Sequence, residues 1–321
     1  MNAFMESLRV MLGGEPARVP KDEHTPAAQQ IHFVKRGEKF DPVQAALEHA
    51  EHKNNKWRNR RWITLIVINL LFVVSYQFDV QLIEGALTAS RVVGFHMADL
   101  NSALQVVLAY KVMLINLVIG TVTVLLLWIL FGGRAFCSWV CPYHLLAEWS
   151  EKLHLWLAAK GLVQDHPFHR KLRTVFYVIF ALLALVTGYT VYEWISPTGI
   201  VSRALIYGPG LAMVWVVVLL AFEVLYSRRF WCRYACPIGL TYGFVGLITP
   251  VRVNYTLEHC QHEGECIKVC LVPHVLECVK KGRAYDVRLP IGSDCTRCGL
   301  CVDKCPTGAL RFDIKGLSKI L

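Results

Sequence analysis

The feature that most constrains this 321-residue chain is a cysteine run near its C-terminus, Cys295-x2-Cys298-x2-Cys301-x3-Cys305-Pro306. Four soft ligands on one tight loop suit an iron–sulfur cube, and Pro306 stops the chain from continuing as helix through the site. The compact spacing fits thiolates closing on a cube better than the paired knuckles of a zinc module. One-electron transfer is the chemistry that such a loop implies.

A second set lies upstream on the same grid: Cys260, Cys266 and Cys270 take its first, third and fourth positions, and Glu263 stands where the second cysteine belongs. Where two such runs occur together, the fourth cysteine of each serves the other cluster. Cys270 is therefore expected to join Cys295, Cys298 and Cys301 around one complete [4Fe–4S] cluster, and Cys305 to join Cys260 and Cys266 around a second. The vacancy in that second cluster falls to Glu263, His262 or Cys278, or leaves a [3Fe–4S] cluster. The segment Leu271-Val272-Pro273 also departs from an immediate Cys-Pro.

Composition adds a second constraint, because hydrophobic residues make up 55% of the chain and charged ones 18%, an apolar excess over soluble domains. Four segments carry it: Trp62 to Phe78, Lys111 to Phe131, Thr174 to Tyr192 and Gly210 to Tyr226. Each is roughly long enough to cross a hydrocarbon core of about 30 Å as a helix. Lys and Arg cluster before the first span, between the second and third and after the fourth, whereas the other two loops carry only Arg91 and Arg203. That asymmetry predicts a bacterial inner (plasma) membrane protein with both termini cytoplasmic, where a reducing compartment suits free thiolates rather than a disulfide framework.

The fold expected is a mostly α membrane protein: four transmembrane helices as two duplicated hairpins, plus a small α+β C-terminal two-cluster module. Its divisions are a cytoplasmic segment (1–56), the four-helix part (57–250) and the iron–sulfur part (251–321). The formal charge of +10 reads as this topology signal with some attraction to anionic lipid, and no nucleic-acid partner is expected. The first 30 residues lack the apolar core and cleavage site of a secretory signal. Asp41-Pro42 is expected to open a short polar helix running to about His52, with His49 and His52 solvated.

The two halves of the apolar region look duplicated. One ends in Arg134-x-Phe136-Cys137-x3-Cys141-Pro142 and the other in Arg229-x-Trp231-Cys232-x3-Cys236-Pro237. Cysteines four apart share a face if the backbone is helical, so two such pairs would present four thiols. These could bind a soft metal or cluster, exchange electrons as dithiols, or pack as small apolar groups. Beyond the first pair, Leu145, Leu146, Trp149, Leu153, Trp156 and Leu157 recur at helical spacing opposite Glu148, Glu151 and Lys152, which predicts an interfacial or docking helix. Its His144 and His154 are expected to face that interface rather than ligate haem. No Cys-x2-Cys-His is present, and the glycines form no phosphate-binding or dinucleotide fingerprint.

Apolar spans, two Cys-x3-Cys-Pro motifs and a C-terminal two-cluster segment together resemble the NapH-type membrane ferredoxins of periplasmic nitrate-reductase systems, with the related NosR and MauN proteins. The likeness covers about residues 57 to 313. It extends to Glu84-Gly85, Ser90-Arg91 and Gly94-Phe95-His96, and to Gly133-Arg134-x-Phe136-Cys137-Ser138-Trp139-Val140-Cys141-Pro142. The resemblance implies a quinol dehydrogenase that draws on the menaquinol or ubiquinol pool. Its electrons would pass to redox partners, such as a ferredoxin or multihaem cytochrome subunit, of a nitrate- or nitrous-oxide-type reductase.

Candidate quinol contacts are Glu84, Arg91 and His96, with Asp99 and Glu193 in the same exterior loops. Glu223, inside the fourth span, is expected to face a partner or cavity. Two rival readings are a cupric or other metal reductase, since thiolates select Cu(I), and a redox-sensing maturation subunit of a respiratory enzyme. Against copper handling stand only 6 Met and no Met-rich track.

Overall fold

The computed structural model describes residues 3–37, 52, 55–79, 83–92 and 94–315; the helix expected from Asp41-Pro42 lies outside them. Two N-terminal helices, α1 (Ala3–Met11) and α2 (Pro26–Gly37), precede a long helix α3 (Lys56–Gln77). A three-stranded antiparallel meander follows, β1 (Ile83–Ala86), β2 (Ala89–Val92) and β3 (Phe95–Ala98), in register Arg91 opposite His96. Asp99 then caps α4 (Leu100–Tyr110), its side chain accepting from the backbone N–H groups of Asn101 and Ser102.

The duplication is visible in the backbone. In the first copy α5 (Ile115–Phe131) leads through a short α6 (Ala135–Trp139) into α7 (Pro142–Ala159). After α8 (Lys171–Thr187), α9 (Val191–Ile195) and α10 (Pro197–Tyr207), the second copy runs from α11 (Ala212–Leu225) through a π-helical turn, Trp231–Ala235, into α12 (Pro237–Ile248). Pro142 and Pro237 each open a helix at its first position, where the missing N–H costs nothing. Cys141 and Cys236 are the residues just before, both with extended backbone.

The four transmembrane helices expected from the sequence are not found: among the described residues no helix is long and apolar enough to cross a membrane. Helices do form in all four apolar segments, but they stop early. Lys111 lies in a left-handed conformation and α5 starts only at Ile115; Gly132 and Gly188, also left-handed, end α5 and α8. The 17 residues of α5 and of α8 and the 14 of α11 span about 25, 25 and 21 Å at 1.5 Å per residue, short of a core of about 30 Å. α3 has 22 residues, but its first turns carry Lys56, Arg58, Arg60 and Arg61. The architecture is thus mixed helical with two small sheets. Large apolar side chains nevertheless stand exposed along these helices, among them Leu70 and Val74 on α3, Ile119 and Leu126 on α5, and Leu182 and Val218 on α8 and α11.

The C-terminal part is built on β4 (Val251–Thr256), which pairs antiparallel with both β5 (Arg288–Pro290) and β6 (Leu310–Ile314). Two one-turn helices, α13 (Glu265–Lys268) and α14 (Leu300–Asp303), follow the two cysteine loops. Its core gathers Val253, Tyr255, Leu257, Leu276, Leu289 and Leu310 with the cysteines themselves. A hairpin core around Phe136, Tyr143, Tyr192, Trp231 and Tyr242 forms a second cluster.

These parts approach closely, since a Cβ on Gly246 of α12 would come within 2.6 Å of the Ser293 carbonyl oxygen. The N-terminal helices also pack on the remainder. Arg173 and Thr174 donate to the carbonyls of Met11 (2.7 Å) and Leu12 (3.0 Å), while the backbone N–H of Thr25 and Nε2 of His32 bond the carbonyls of Tyr285 (3.0 Å) and Ala284 (2.8 Å).

Candidate metal centres

The two cysteine loops share one backbone despite Glu263. In Cys295–Cys301 the left-handed residues are Arg297 and Gly299; in Cys260–Cys266 they are His262 and Gly264, at the same two positions. The backbone N–H of Arg297 points at Cys295 Sγ (3.4 Å) and that of His262 at Cys260 Sγ (3.3 Å). Each loop then enters a one-turn helix capped by its glycine. Such N–H···S bonds lower the charge on a ligating sulfur.

Cys270, Cys295, Cys298 and Cys301 line one small cavity walled by Val253, Val275, Leu276 and Ile291. This is the set that the interleaved spacing brings together. Cys266 stands near Cys260 and Cys305, and Cys278 near Cys260, so a second group of four sulfurs forms, three of which (Cys260, Cys266 and Cys278) lie near the Tyr255 hydroxyl. His262 turns its Nδ1 to the Val279 carbonyl at 2.8 Å. Lys35 reaches over from α2 to the Leu257, Glu258 and Cys260 carbonyls at 2.5–2.8 Å, placing a positive charge beside this group.

The four hairpin cysteines also converge. Cys137, Cys141, Cys232 and Cys236 line one cavity of about 240 Å³. Cys141 lies 3.3 Å from Thr198 Oγ1 and Cys236 3.6 Å from the Tyr192 hydroxyl. Burial pushes the Cys137 thiol up to about 12 and Cys141 to about 11, so bare thiols keep their protons at neutral pH and a metal must displace them to bind. Five arginines line the same cavity, Arg134, Arg170, Arg173, Arg229 and Arg233, whereas the carboxylates paired with them are Asp294 and Glu151. That positive excess suits an anionic occupant such as a thiolate-bound cluster.

Size and spacing separate a cluster from a single ion. Zinc draws its sulfurs to about 2.3 Å and needs no cavity. Among the described residues no three His, Cys, Asp or Glu side chains close tightly enough to hold one ion. The all-cysteine donor sets, and the room of about 240 Å³ among the hairpin cysteines, fit an iron–sulfur core.

The hairpin cavity and the Cys270/Cys295/Cys298/Cys301 cavity share a wall, since Val272 and Thr296 line both. The first hairpin motif clasps the cluster loop directly. Arg134 donates to the Asp294 carbonyl (2.9 Å) and carboxylate (2.7 Å), Ser138 to the Thr296 carbonyl (2.7 Å) and Trp139 to the Arg297 carbonyl (3.1 Å). Arg297 returns the clasp through the carbonyls of Gly132 and Val251. Burial pushes the Asp294 carboxyl up, but Arg134 and Arg173 pull it well below the usual carboxylate range. Burial lowers His274 to about 4, and its Nε2 donates to Asp294 at 2.7 Å as a neutral ring.

Other expected site residues are distributed differently. Arg91 and His96 are exposed on the outer face of the meander, Arg91 turning to the Gly94 carbonyl, and they line none of these cavities. Glu84 pairs with Arg91 through the backbone of β1 and β2. Glu223 is buried as expected of an ionisable group in an apolar helix; its Oε1 accepts from the Trp231 N–H at 2.9 Å, which holds the π turn carrying Cys232, and burial raises its carboxyl to about 7. His144 and His154 do not face an interface. Both are buried, His154 bonded to the Val224 carbonyl (2.7 Å), while Trp149, Leu153 and Trp156 of the same helix stand outward.

A family model described as a 4Fe-4S binding domain matches this chain twice, over residues 113–160 and 209–254, and another so described matches residues 291–311. The chain is 30% identical over 278 residues to the ferredoxin-type protein NapH of Escherichia coli, covering 83% of this chain and 93% of that protein. It is 33% identical over 262 residues to the methylamine utilization ferredoxin-type protein MauN of Methylobacillus flagellatus (81% and 90% covered), and 29% identical over 267 residues to MauN of Methylorubrum extorquens (82% and 91%). No solved structure matches. Cysteine geometry and these matches together define an iron–sulfur electron-transfer protein. The chain belongs to the NapH and MauN family of ferredoxin-type proteins.

Proposed function

We propose that this protein works at the bacterial inner membrane, taking electron pairs from a quinol and releasing them singly to a partner redox protein of a respiratory reductase system. Three four-iron centres would be held by Cys137, Cys141, Cys232 and Cys236; by Cys270, Cys295, Cys298 and Cys301; and by Cys260, Cys266, Cys305 and Cys278. Such centres, when bound, accept and give up one electron at a time. The carrying observation is that Val272 and Thr296 line both the hairpin cavity and the first loop cavity. Electrons entering at the hairpins then have a short way out through the C-terminal module. Exposed apolar side chains on α3, α5, α8 and α11 support membrane association, since patches of this kind mark lipid or protein contact. The cytoplasmic side suits the module, where thiolates stay reduced.

The test is anaerobic titration of the purified protein with decylubiquinol, followed by electron paramagnetic resonance (EPR). Reduced-cluster signals should appear, and Cys137→Ser with Cys232→Ser should slow their appearance by about tenfold or more without lowering the protein level. Absence of quinol reduction in the wild type, with normal reduction by dithionite, would remove quinol as donor.

Cys278 takes the fourth place in the last centre because it stands near Cys260 and offers a thiolate, the usual cluster ligand, where Glu263 offers a carboxylate. Cys278→Ser should therefore convert one four-iron signal into that of a three-iron cluster, and Glu263→Ala should leave all signals as they are. The reverse pattern would give the place to Glu263.

A further inference from the structure

A cleft of about 1070 Å³ opens between α3 and α5, above the roughly 300–1,000 Å³ of ordinary small-molecule pockets. Thr64, Ile68 and Leu71 line one side and Val124, Leu127 and Leu130 the other. The lining residues Leu71 and Leu130 are themselves exposed, as are Leu70, Val74, Ile119 and Leu126 on the same two helices, so the cleft opens beside an apolar surface from which an apolar ligand can enter. Apolar walls around a volume of this size suit an isoprenoid chain.

One end of the cleft is different. Trp128, Phe136 and Tyr242 form an aromatic corner there, with Phe136 and Tyr242 stacked at 4.9 Å and Trp128 edge-on to Phe136 at 5.5 Å. The Tyr242 hydroxyl donates to Asp99 Oδ1 at 2.7 Å, and Asp99 lines the cleft while buried. Asp99 Oδ2 accepts from Ser102 Oγ at 3.4 Å, and the same hydroxyl bonds the carboxyl of Glu193, which is half-buried and whose backbone carbonyl accepts from Arg203 at 3.2 Å. Phe136 also lines the four-cysteine hairpin cavity, so one ring separates this corner from Cys137 and its neighbours.

Resting on the quinol reading above, we propose that this cleft is the quinol site: the head group sits in the Trp128, Phe136 and Tyr242 corner, the prenyl tail runs between α3 and α5, and Asp99 accepts the hydroxyl protons. Oxidation breaks two O–H bonds and releases two electrons and two protons. The electrons leave singly, past Phe136, for the iron–sulfur centres. Each proton passes to the Asp99 carboxylate, across the Ser102 hydroxyl to Glu193, and out to water before the next follows. Burial raises both the Asp99 and the Glu193 carboxyl, which suits groups that take up a proton and release it again.

The test uses a photoreactive azido-ubiquinone with a decyl tail on the full protein, beside decylubiquinol reduction followed by EPR. Label should fall on peptides covering residues 57–72 and 124–136, and excess decylubiquinone should suppress it by about fivefold or more. Asp99→Asn, which keeps the helix cap, should retain labelling but lower the maximal reduction rate by about tenfold or more. Leu71→Trp with Leu130→Trp, both at the exposed mouth, should cut labelling and raise the half-saturating quinol by about fivefold or more. All variants should reduce normally with dithionite.

Labelling elsewhere, labelling displaced equally by phosphatidylglycerol, or unchanged rates in Asp99→Asn would overturn the site while wild-type reduction by quinol keeps the wider reading intact. A wild type that quinol does not reduce overturns both.

Discussion

Asp294→Asn should detach the iron–sulfur module from the hairpins, at a cost of about 3–5 kcal/mol, because removing one partner of a buried ion pair leaves its opposite charge uncompensated. Asp294 is buried and binds Arg134 at 2.7 Å, Arg173 at 3.1 Å and His274 at 2.7 Å. Arg134 comes from the first hairpin, Arg173 from the start of α8, and His274 from the segment that follows Cys270. One carboxylate thus ties three parts of the chain at the edge of the shared wall. The amide keeps the shape and loses the charge, leaving two guanidinium groups in a dry site. The expected result is a much lower midpoint in anaerobic urea unfolding, together with lower bound iron. Asp165→Asn, which removes a half-buried partner of Arg228, should cost about 1 kcal/mol or less. Equal effects from the two substitutions would show that the buried network does not hold the module in place.

Iron content should respond as sharply. Three four-iron centres give about 12 iron and 12 acid-labile sulfide per chain, and Cys141→Ser with Cys236→Ser should lower both to about 8. These two cysteines precede Pro142 and Pro237 and are fixed by helix starts rather than by mobile loops, so their removal should leave the C-terminal pair of centres loaded. Wild-type material with about 8 iron, unchanged in the double variant, would make the hairpin thiols something other than a cluster site. Zinc bound in proportion to those cysteines would do the same.

The grouping of the cysteines was legible in the sequence because motifs of this kind are written in short intervals. The x2, x2, x3 run, its interleaved partner and the repeated Cys-x3-Cys-Pro motifs each name residues that the structure gathers, and Cys278 was already among the candidates for the vacant position. Helices also form where apolar segments predicted them. Their lengths were not legible, since Lys111, Gly132 and Gly188 act through left-handed backbone that hydropathy does not register. Helix α7, which the sequence marks as interfacial or docking, shows the same limit. Its apolar stripe is real but faces outward, while Glu148, paired with Arg61 at 2.5 Å, and His154 lie inside.

Long-range partners were the least legible part. Asp294 reads as an ordinary loop residue until Arg134 and Arg173 arrive from more than a hundred positions away. Asp99 reads as one of several candidate contacts in an exterior loop, and nothing in the sequence announces the Tyr242 hydroxyl that closes on it. Arg91 and His96 drew notice by residue type, but strand alternation turns them outward while Ser90, Val92 and Met97 line the cleft. The docking of α1 and α2 carried no sequence signal beyond a few apolar residues such as Met11 and Ala28, both fully buried.

Magnetic coupling between reduced centres tests the relay most directly, because it reads their proximity without any donor or partner. In dithionite-reduced protein, centres on either side of Val272 and Thr296 should interact, giving split and fast-relaxing EPR signals that become simple in the Cys141→Ser, Cys236→Ser variant. Spectra of the wild type that merely sum independent clusters, identical with and without the hairpin cysteines, would contradict the account.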